Sequence, residues 1–214
     1  MARITVLGGT GYAGAHIVAE AAGRGHEVTS WSRHEPAQPV EGVTYRTGSA
    51  LEDGTLAAVV EGADVVVETL SPRGELVGKV RELAGQLADL AQQAGVRLGV
   101  VGGAGSLLVE AGGPRLVDTD AFAEEYRPEA LQLAGVLDDL RAREDSLDWF
   151  FVSPAVEFGP WADGPRTGAY RTGDDLVVAD ADGRSTISGS DFAVAFVDEI
   201  EAPKHSRRRF TVAY

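Results

Sequence analysis

The strongest chemical signal in the chain is the run Gly8-Gly9-Thr10-Gly11-Tyr12-Ala13-Gly14. The glycines at 8, 11 and 14 stand three residues apart, in the pattern GxxGxxG. Spacing alone says little in a chain with 27 glycines. Context says more, because the run follows the apolar residues 4–7 directly and opens a helical pattern. A strand that turns sharply into a helix leaves the N–H groups of the helix's first turn unpaired, at the positive end of the helix dipole. Such a junction binds anions, and with this glycine pattern it suits the diphosphate of a dinucleotide. Gly8 would permit the tight turn, Gly11 the close approach of the phosphates, and Gly14 the packing of helix on strand.

A dinucleotide site reads the adenosine ribose about 20 residues further on. The residues there are Ser30-Trp31-Ser32-Arg33-His34, with no acid before Glu35. A carboxylate would bond a free 2′-hydroxyl, whereas a guanidinium suits a 2′-phosphate. Arg33 therefore favours NADP(H), with NAD(H) as the alternative. His34 is either a flanking contact or a solvated side chain.

Catalytic groups are scarcer. The two lysines are Lys79 and Lys204, and the residues four before them are Glu75 and Ile200, so a Tyr-x-x-x-Lys dyad is absent. Tyr126 has Ala130 where the lysine would stand; it is a candidate for direct chemistry, but more readily a loop anchor or a lid. Ser106 is the first catalytic candidate. It closes the turn Gly102-Gly103-Ala104-Gly105, and its hydroxyl could orient an acceptor carbonyl or relay a proton. The bland alternative is a serine that caps local backbone. No G-x-S-x-G elbow accompanies it, so hydrolysis is not indicated. Trp161, Phe158, Tyr170 and Trp149 could wall an aromatic acceptor, with core packing the default for Trp149.

Composition narrows the partners. The chain has 214 residues, 19 Lys+Arg against 33 Asp+Glu, and a formal charge of −14. That charge repels phosphate backbones and anionic lipid, so neither nucleic acid nor membrane is an expected partner. The absence of cysteine removes thiol nucleophiles, Cys-ligated zinc and iron–sulfur clusters. The four histidines, His16, His26, His34 and His205, lack ligand spacing, so no metal is expected. No apolar leader or run of about 18 apolar residues is visible, and a cytoplasmic location is expected.

The elements that must position these residues alternate along the chain. Strand-like segments fall at 4–7, 27–31, 43–46, 63–70, 96–101 and 149–152, with helical patterns between them. Residues 76–90 step by 4, 3, 4, 3 through Leu76, Val80, Leu83, Leu87 and Leu90, and Gly95 ends that helix. Residues 107–128 are aperiodic and are read as a long functional loop. Beyond Pro154, short strands are predicted at 176–179 and 209–213, with Ser190 and Asp191 starting a helix over 192–200. Arg207-Arg208-Arg209 is read as blunting an edge strand. The alternation predicts an α/β fold, a doubly wound parallel sheet whose ligands sit at the carboxyl ends of the strands. Residues 1–214 form a single domain, with 155–214 contributing a small substrate-side lobe.

Taken together, these motifs resemble the atypical short-chain dehydrogenase/reductases of the NAD(P)H-binding, NmrA-like kind. Within that group the likeness is strongest to the NADH-flavin reductases related to biliverdin reductase B. The residues that carry it are the 8–14 run, Ser32-Arg33, the segment 101–107, the segment 124–130, Ser153-Pro154 and Asp191-Phe192-Ala193. The resemblance implies a Rossmann fold in which Thr10, Gly11, Tyr12 and Ala13 line the diphosphate and Arg33 the 2′-phosphate. It implies that Thr69, Leu70 and Ser71 run beside the nicotinamide ribose, and that Ser106 and Pro154 border the nicotinamide and acceptor. Relatives carry Asp where this chain has Ser49, a weaker partner for adenine.

The resulting expectation is an NAD(P)H-dependent oxidoreductase that passes hydride to a flat conjugated small molecule, such as a free flavin, a quinone or a linear tetrapyrrole. Two alternatives remain: a non-enzymatic NADP(H)-sensing module, and an epimerase- or dehydratase-like enzyme with an unusual base.

Overall fold

The computed structural model describes residues 1–144 and 146–214. Eight strands form one sheet: β1 (Arg3–Leu7), β2 (Glu27–Ser32), β3 (Thr44–Thr47), β4 (Val65–Glu68), β5 (Arg97–Val101), β6 (Trp149–Ser153), β7 (Arg171–Gly173) and β8 (Arg208–Ala213). Their order across the sheet is β3-β2-β1-β4-β5-β6-β8-β7. Every neighbouring pair is parallel except β7 with β8. The chain runs outward from β1 to β3 and then returns to place β4 against the other side of β1. That reversal opens a crevice at the carboxyl ends of β1 and β4.

Helices cover both faces, which explains the near-continuous apolar strands. Val65, Val66 and Val67 are all buried because alternate side chains meet different helical layers. On one face α1 (Tyr12–Gly23) and α5 (Gly189–Glu201) pack side by side, with Ile17, Val18, Phe192 and Phe196 against Ile4, Val6 and Phe150. On the other, α2 (Thr55–Val60), α3 (Val80–Ala94) and α4 (Arg127–Ala142) lay Leu83, Leu87, Val136 and Leu140 on Val66, Leu98, Val100 and Phe151. Gly95 ends α3 in the left-handed region at φ 66°. Among the described residues no helix is long and apolar enough to cross a membrane.

Three differences from the sequence reading concern the last sixty residues. The short strand lies at Arg171–Gly173 and not at 176–179, where only Leu176 makes an isolated bridge to Leu108. α5 begins earlier than expected: Ser188 is its N-cap, accepting from the Asp191 N–H, and Ser190 already lies inside the helix. β8 is covered on its outer side only over Thr211–Ala213, where β7 pairs with it, and Arg208 is exposed on the part that β7 does not reach. Residues 155–214 thus extend the main sheet through β8 and β7 and add α5 to one of its layers.

One arginine of β8 departs from the edge-charge reading. The Arg209 side chain is only 1 % exposed. Its Nε donates to Asp175 at 2.7 Å, while Nη1 donates to the hydroxyls of Ser153 (3.1 Å) and Ser106 (3.3 Å). Burial pulls its pKa down and the Asp175 carboxylate opposes that pull. Removing one partner of such a pair leaves a charge in the interior. Asp175→Ala is therefore expected to cost about 2–3 kcal/mol in urea unfolding, less than for a fully buried pair because Asp175 is partly solvated. A loss below about 0.5 kcal/mol would show that water already serves the guanidinium.

Candidate functional site

A cleft of about 490 Å³ lies where β1, β2, β4 and β5 end. Its floor is the turn from β1 into α1. Gly8 adopts φ +90°, and a Cβ there would meet Thr69 Oγ1 at 2.5 Å. A Cβ on Gly14 would lie 2.3 Å from the Gly8 carbonyl oxygen, so helix and strand touch here without side chains between them. Gly9, which the motif reading did not single out, is equally constrained: its Cβ would meet Ser30 Oγ at 2.3 Å. Gly11 differs. Its backbone is extended, at φ −72° and ψ 169°, and an added Cβ would approach only the Gly8 carbonyl, at 3.2 Å.

The amides of this turn divide into two groups. Those of Gly8, Thr10 and Gly11 are occupied, by Trp31 O (2.8 Å), Ser32 Oγ (3.0 Å) and Gly8 O (2.9 Å). These bonds fix the loop. The amides of Tyr12 and Ala13 open α1, and among the described residues no acceptor meets them. Gly11, the N-cap, offers no side chain to cap them. Unpaired N–H groups, a helix N-terminus and a bare glycine at the cleft wall together fit a diphosphate.

The strand ends shape the rest of the wall. The Thr69 hydroxyl donates to Leu7 O at 2.9 Å, tying β4 to β1 at the switch point. The Glu68 carboxylate, 1 % exposed, turns back to accept the Leu70 N–H at 2.6 Å. That bond sets the path of Thr69, Leu70 and Ser71, all on the cleft wall. The other Glu68 oxygen is buried without a partner, and burial raises its pKa to about 8. Arg33 and Ser49 also line the cleft, at the end beyond β2. The Ser49 hydroxyl already accepts the Leu51 N–H, at 3.3 Å. Arg33 Nη1 stands 3.2 Å from Glu75 Oε1. At the other end Leu133, Phe158 and Trp161 form a largely apolar wall beside Val101 and Gly102. Arg73 donates to Glu129 at 2.8 Å there, and Ser71 Oγ to the same carboxylate at 3.2 Å.

Of the residues that the sequence and the resemblance single out, Gly8, Thr10, Gly11, Tyr12, Ala13, Arg33, Ser49, Thr69, Leu70 and Ser71 share this one wall. Gly14 packs directly behind it. Ser106, Pro154 and Tyr126 do not line it. Ser106 is buried at the end of a 3-10 turn, Ala104–Ser106, that carries its hydroxyl toward Arg209. Pro154 is buried just past β6. Tyr126 is half exposed near the start of α4, and Glu125 raises its pKa, which makes the phenol a poorer acid. Residues 107–128 contribute nothing to the wall. Arg73, Glu75, Glu129 and Leu133, none of them a site residue expected from the sequence, also line the cleft; they come from the segment after β4 and from α4.

With the fold and cleft described, the class is a Rossmann-type dinucleotide-binding protein. The chain matches the NAD(P)H-binding family over residues 8–203 and belongs to it. Among solved structures it is similar to a proposed exported protein from Burkholderia pseudomallei (42 % identity, TM-score 0.87, all of both chains covered). It is similar to a proposed epimerase from Bacteroides thetaiotaomicron (33 %, TM-score 0.89, 100 % of this chain and 97 % of that one). It is also similar to a proposed NADH-flavin reductase from Streptococcus pneumoniae (34 %, TM-score 0.84, 100 % and 99 %).

Two tests follow. Gly14→Ala is expected to lose about 1–3 kcal/mol of stability by overpacking. Gly11→Ala is expected to cost less, about 1 kcal/mol or under at this N-cap, while weakening a nicotinamide dinucleotide roughly tenfold or more, a difference read by thermal unfolding beside calorimetric titration. Equal damage from both changes would contradict the separation of roles. Glu68 gives the second. Its folded pKa lies above the unfolded value, so between about pH 4.5 and 8 the folded state holds a proton that the unfolded state has lost. Stability therefore falls as pH rises through that window, by up to about 1.4 kcal/mol per unit. Glu68→Gln should gain on the wild type progressively up to about pH 8 and then level off. Parallel stability profiles would show that Glu68 is already ionised.

Proposed function

We propose that this protein is an NAD(P)H-dependent reductase, with NADPH favoured, that delivers hydride to a flat conjugated small molecule such as a free flavin, a quinone or a linear tetrapyrrole. One observation carries the reading: a single cleft joins unpaired helix-start amides to the apolar side chains of Leu133, Phe158 and Trp161, none of which is an acid or base near neutral pH. The family membership and the likeness to a proposed NADH-flavin reductase support an oxidoreductase in general.

When bound, a reduced nicotinamide supplies the hydride. The chain supplies binding and orientation. The Tyr12 and Ala13 amides would hold the diphosphate, Arg33 the 2′-phosphate, and the Thr69–Ser71 backbone would set the depth of the nicotinamide half. Leu133, Phe158 and Trp161 would hold a planar acceptor against it and keep water from its face.

Tyr12 and Glu129, the acid–base groups beside Phe158 and Leu133, are already committed. The Tyr12 hydroxyl donates to Asp163 at 2.9 Å and accepts the Gly189 N–H at 3.0 Å; burial and Asp163 push its pKa up to about 12. Glu129 is held by Arg73 and Ser71. Such a site suits an acceptor whose reduction leaves a delocalised anion that water can protonate. A simple ketone or a sugar carbon needs a proton moved in step with hydride, and neither committed group is free to move one; His34, which also lines the cleft, stands beside Arg33 at the end beyond β2.

The test is a panel of acceptors, with loss of nicotinamide absorbance as the readout. Turnover is expected with at least one of flavin, quinone and biliverdin. Ser106→Ala should retain the rate within about threefold, since its hydroxyl serves Arg209. Tight NADPH binding with no turnover on any acceptor would overturn the reductase and favour the sensor. A collapse of kcat in Ser106→Ala with stability intact would return Ser106 to the chemistry.

A further inference from the structure

The adenosine end of the cleft carries a second charge beside Arg33. Glu75 stands in a 3-10 turn, Gly74–Leu76, between β4 and α3. An acid that reads the ribose would come from the end of β2, where this chain has none. Both Arg33 and Glu75 line the cleft, both are about half exposed, and a single contact of 3.2 Å joins Nη1 to Oε1. The guanidinium therefore keeps most of its donors free. The other acid on the wall, Glu129, is occupied by Arg73 and Ser71.

We propose that Glu75 is a specificity-determining residue that holds down the preference for NADP(H) over NAD(H). A 2′-phosphate carries close to two negative charges near neutral pH. It must either displace Glu75 from Arg33 or bind beside a like charge. A free 2′-hydroxyl meets the opposite situation, since it is neutral and can donate to the same carboxylate. One group thus opposes the phosphorylated cofactor and assists the other, standing in for the acid missing from β2. The inference rests on the reading of Arg33 as the 2′-phosphate contact.

Calorimetric titration of NADPH and NADH into the wild type, Glu75→Gln and Arg33→Ala tests it. Glu75→Gln is isosteric and on the surface, so folding is preserved and thermal unfolding checks this. The expected result is NADPH bound about three- to tenfold more tightly and NADH about threefold more weakly, with the gain on NADPH shrinking as salt rises. Arg33→Ala should weaken NADPH selectively. If Arg33→Ala behaves so while Glu75→Gln leaves the ratio of the two affinities unchanged, the role of Glu75 is overturned and the Arg33 reading stands. If Arg33→Ala weakens both cofactors equally, or neither, both fall together.

Discussion

Two backbone N–H groups govern this structure. Tyr12 and Ala13 begin α1 with no acceptor for their hydrogens among the described residues, at the point where helix dipole, bare glycine and open cleft coincide. Much of the surrounding architecture holds them there. Gly8 turns the chain at a positive φ, Gly14 lets the helix touch the turn, and Trp31, Ser32 and Gly8 itself accept the amides of residues 8–11. An acidic protein can hold an anion this way because the attraction is local and directional, and it does not depend on net charge.

The sheet explains why the two ends of one cleft differ. The reversal between β1 and β4 opens the crevice, and the elements on its two sides differ in character. Beyond β2 the wall is polar and charged, with Arg33 and Glu75. Beyond β5 it is mixed, with Leu133, Phe158 and Trp161 beside the paired charges of Arg73 and Glu129. Thr69 ties the two halves at the switch point, and Glu68 shapes the turn between them from below. A buried carboxyl with one unpartnered oxygen is costly, and its placement under this turn is the structural return for that cost.

The fold was legible in the sequence wherever a local pattern had a local cause. The β-branched run at residues 65–67 and the 4,3,4,3 stepping of α3 each report burial directly, and Gly95 ends its helix as its conformation requires. What was hidden depends on partners remote in sequence. β7 is Arg-Thr-Gly, which has no strand signature and is a strand only because β8 pairs with it. Arg209 lies outside that pairing and is hidden by Ser106, Ser153 and Asp175, all remote in sequence, whereas its neighbours Arg207 and Arg208 suggest a solvated edge charge. Ser106 was read as facing the cleft because it closes a glycine turn, but linear position does not encode the inward rotation of a 3-10 turn. Arg33 was recognised from its distance to the glycine motif, whereas Glu75 reaches it across 42 residues and leaves no one-dimensional trace.

Backbone amide NMR on the folded protein tests the central claim most directly. Titration with NADPH is expected to move the Tyr12 and Ala13 amide protons downfield and slow their exchange with water, while nicotinamide riboside, which lacks the diphosphate, leaves them in place. If those two resonances stay fixed at saturating NADPH while others shift, the helix start does not grasp the diphosphate and the account fails.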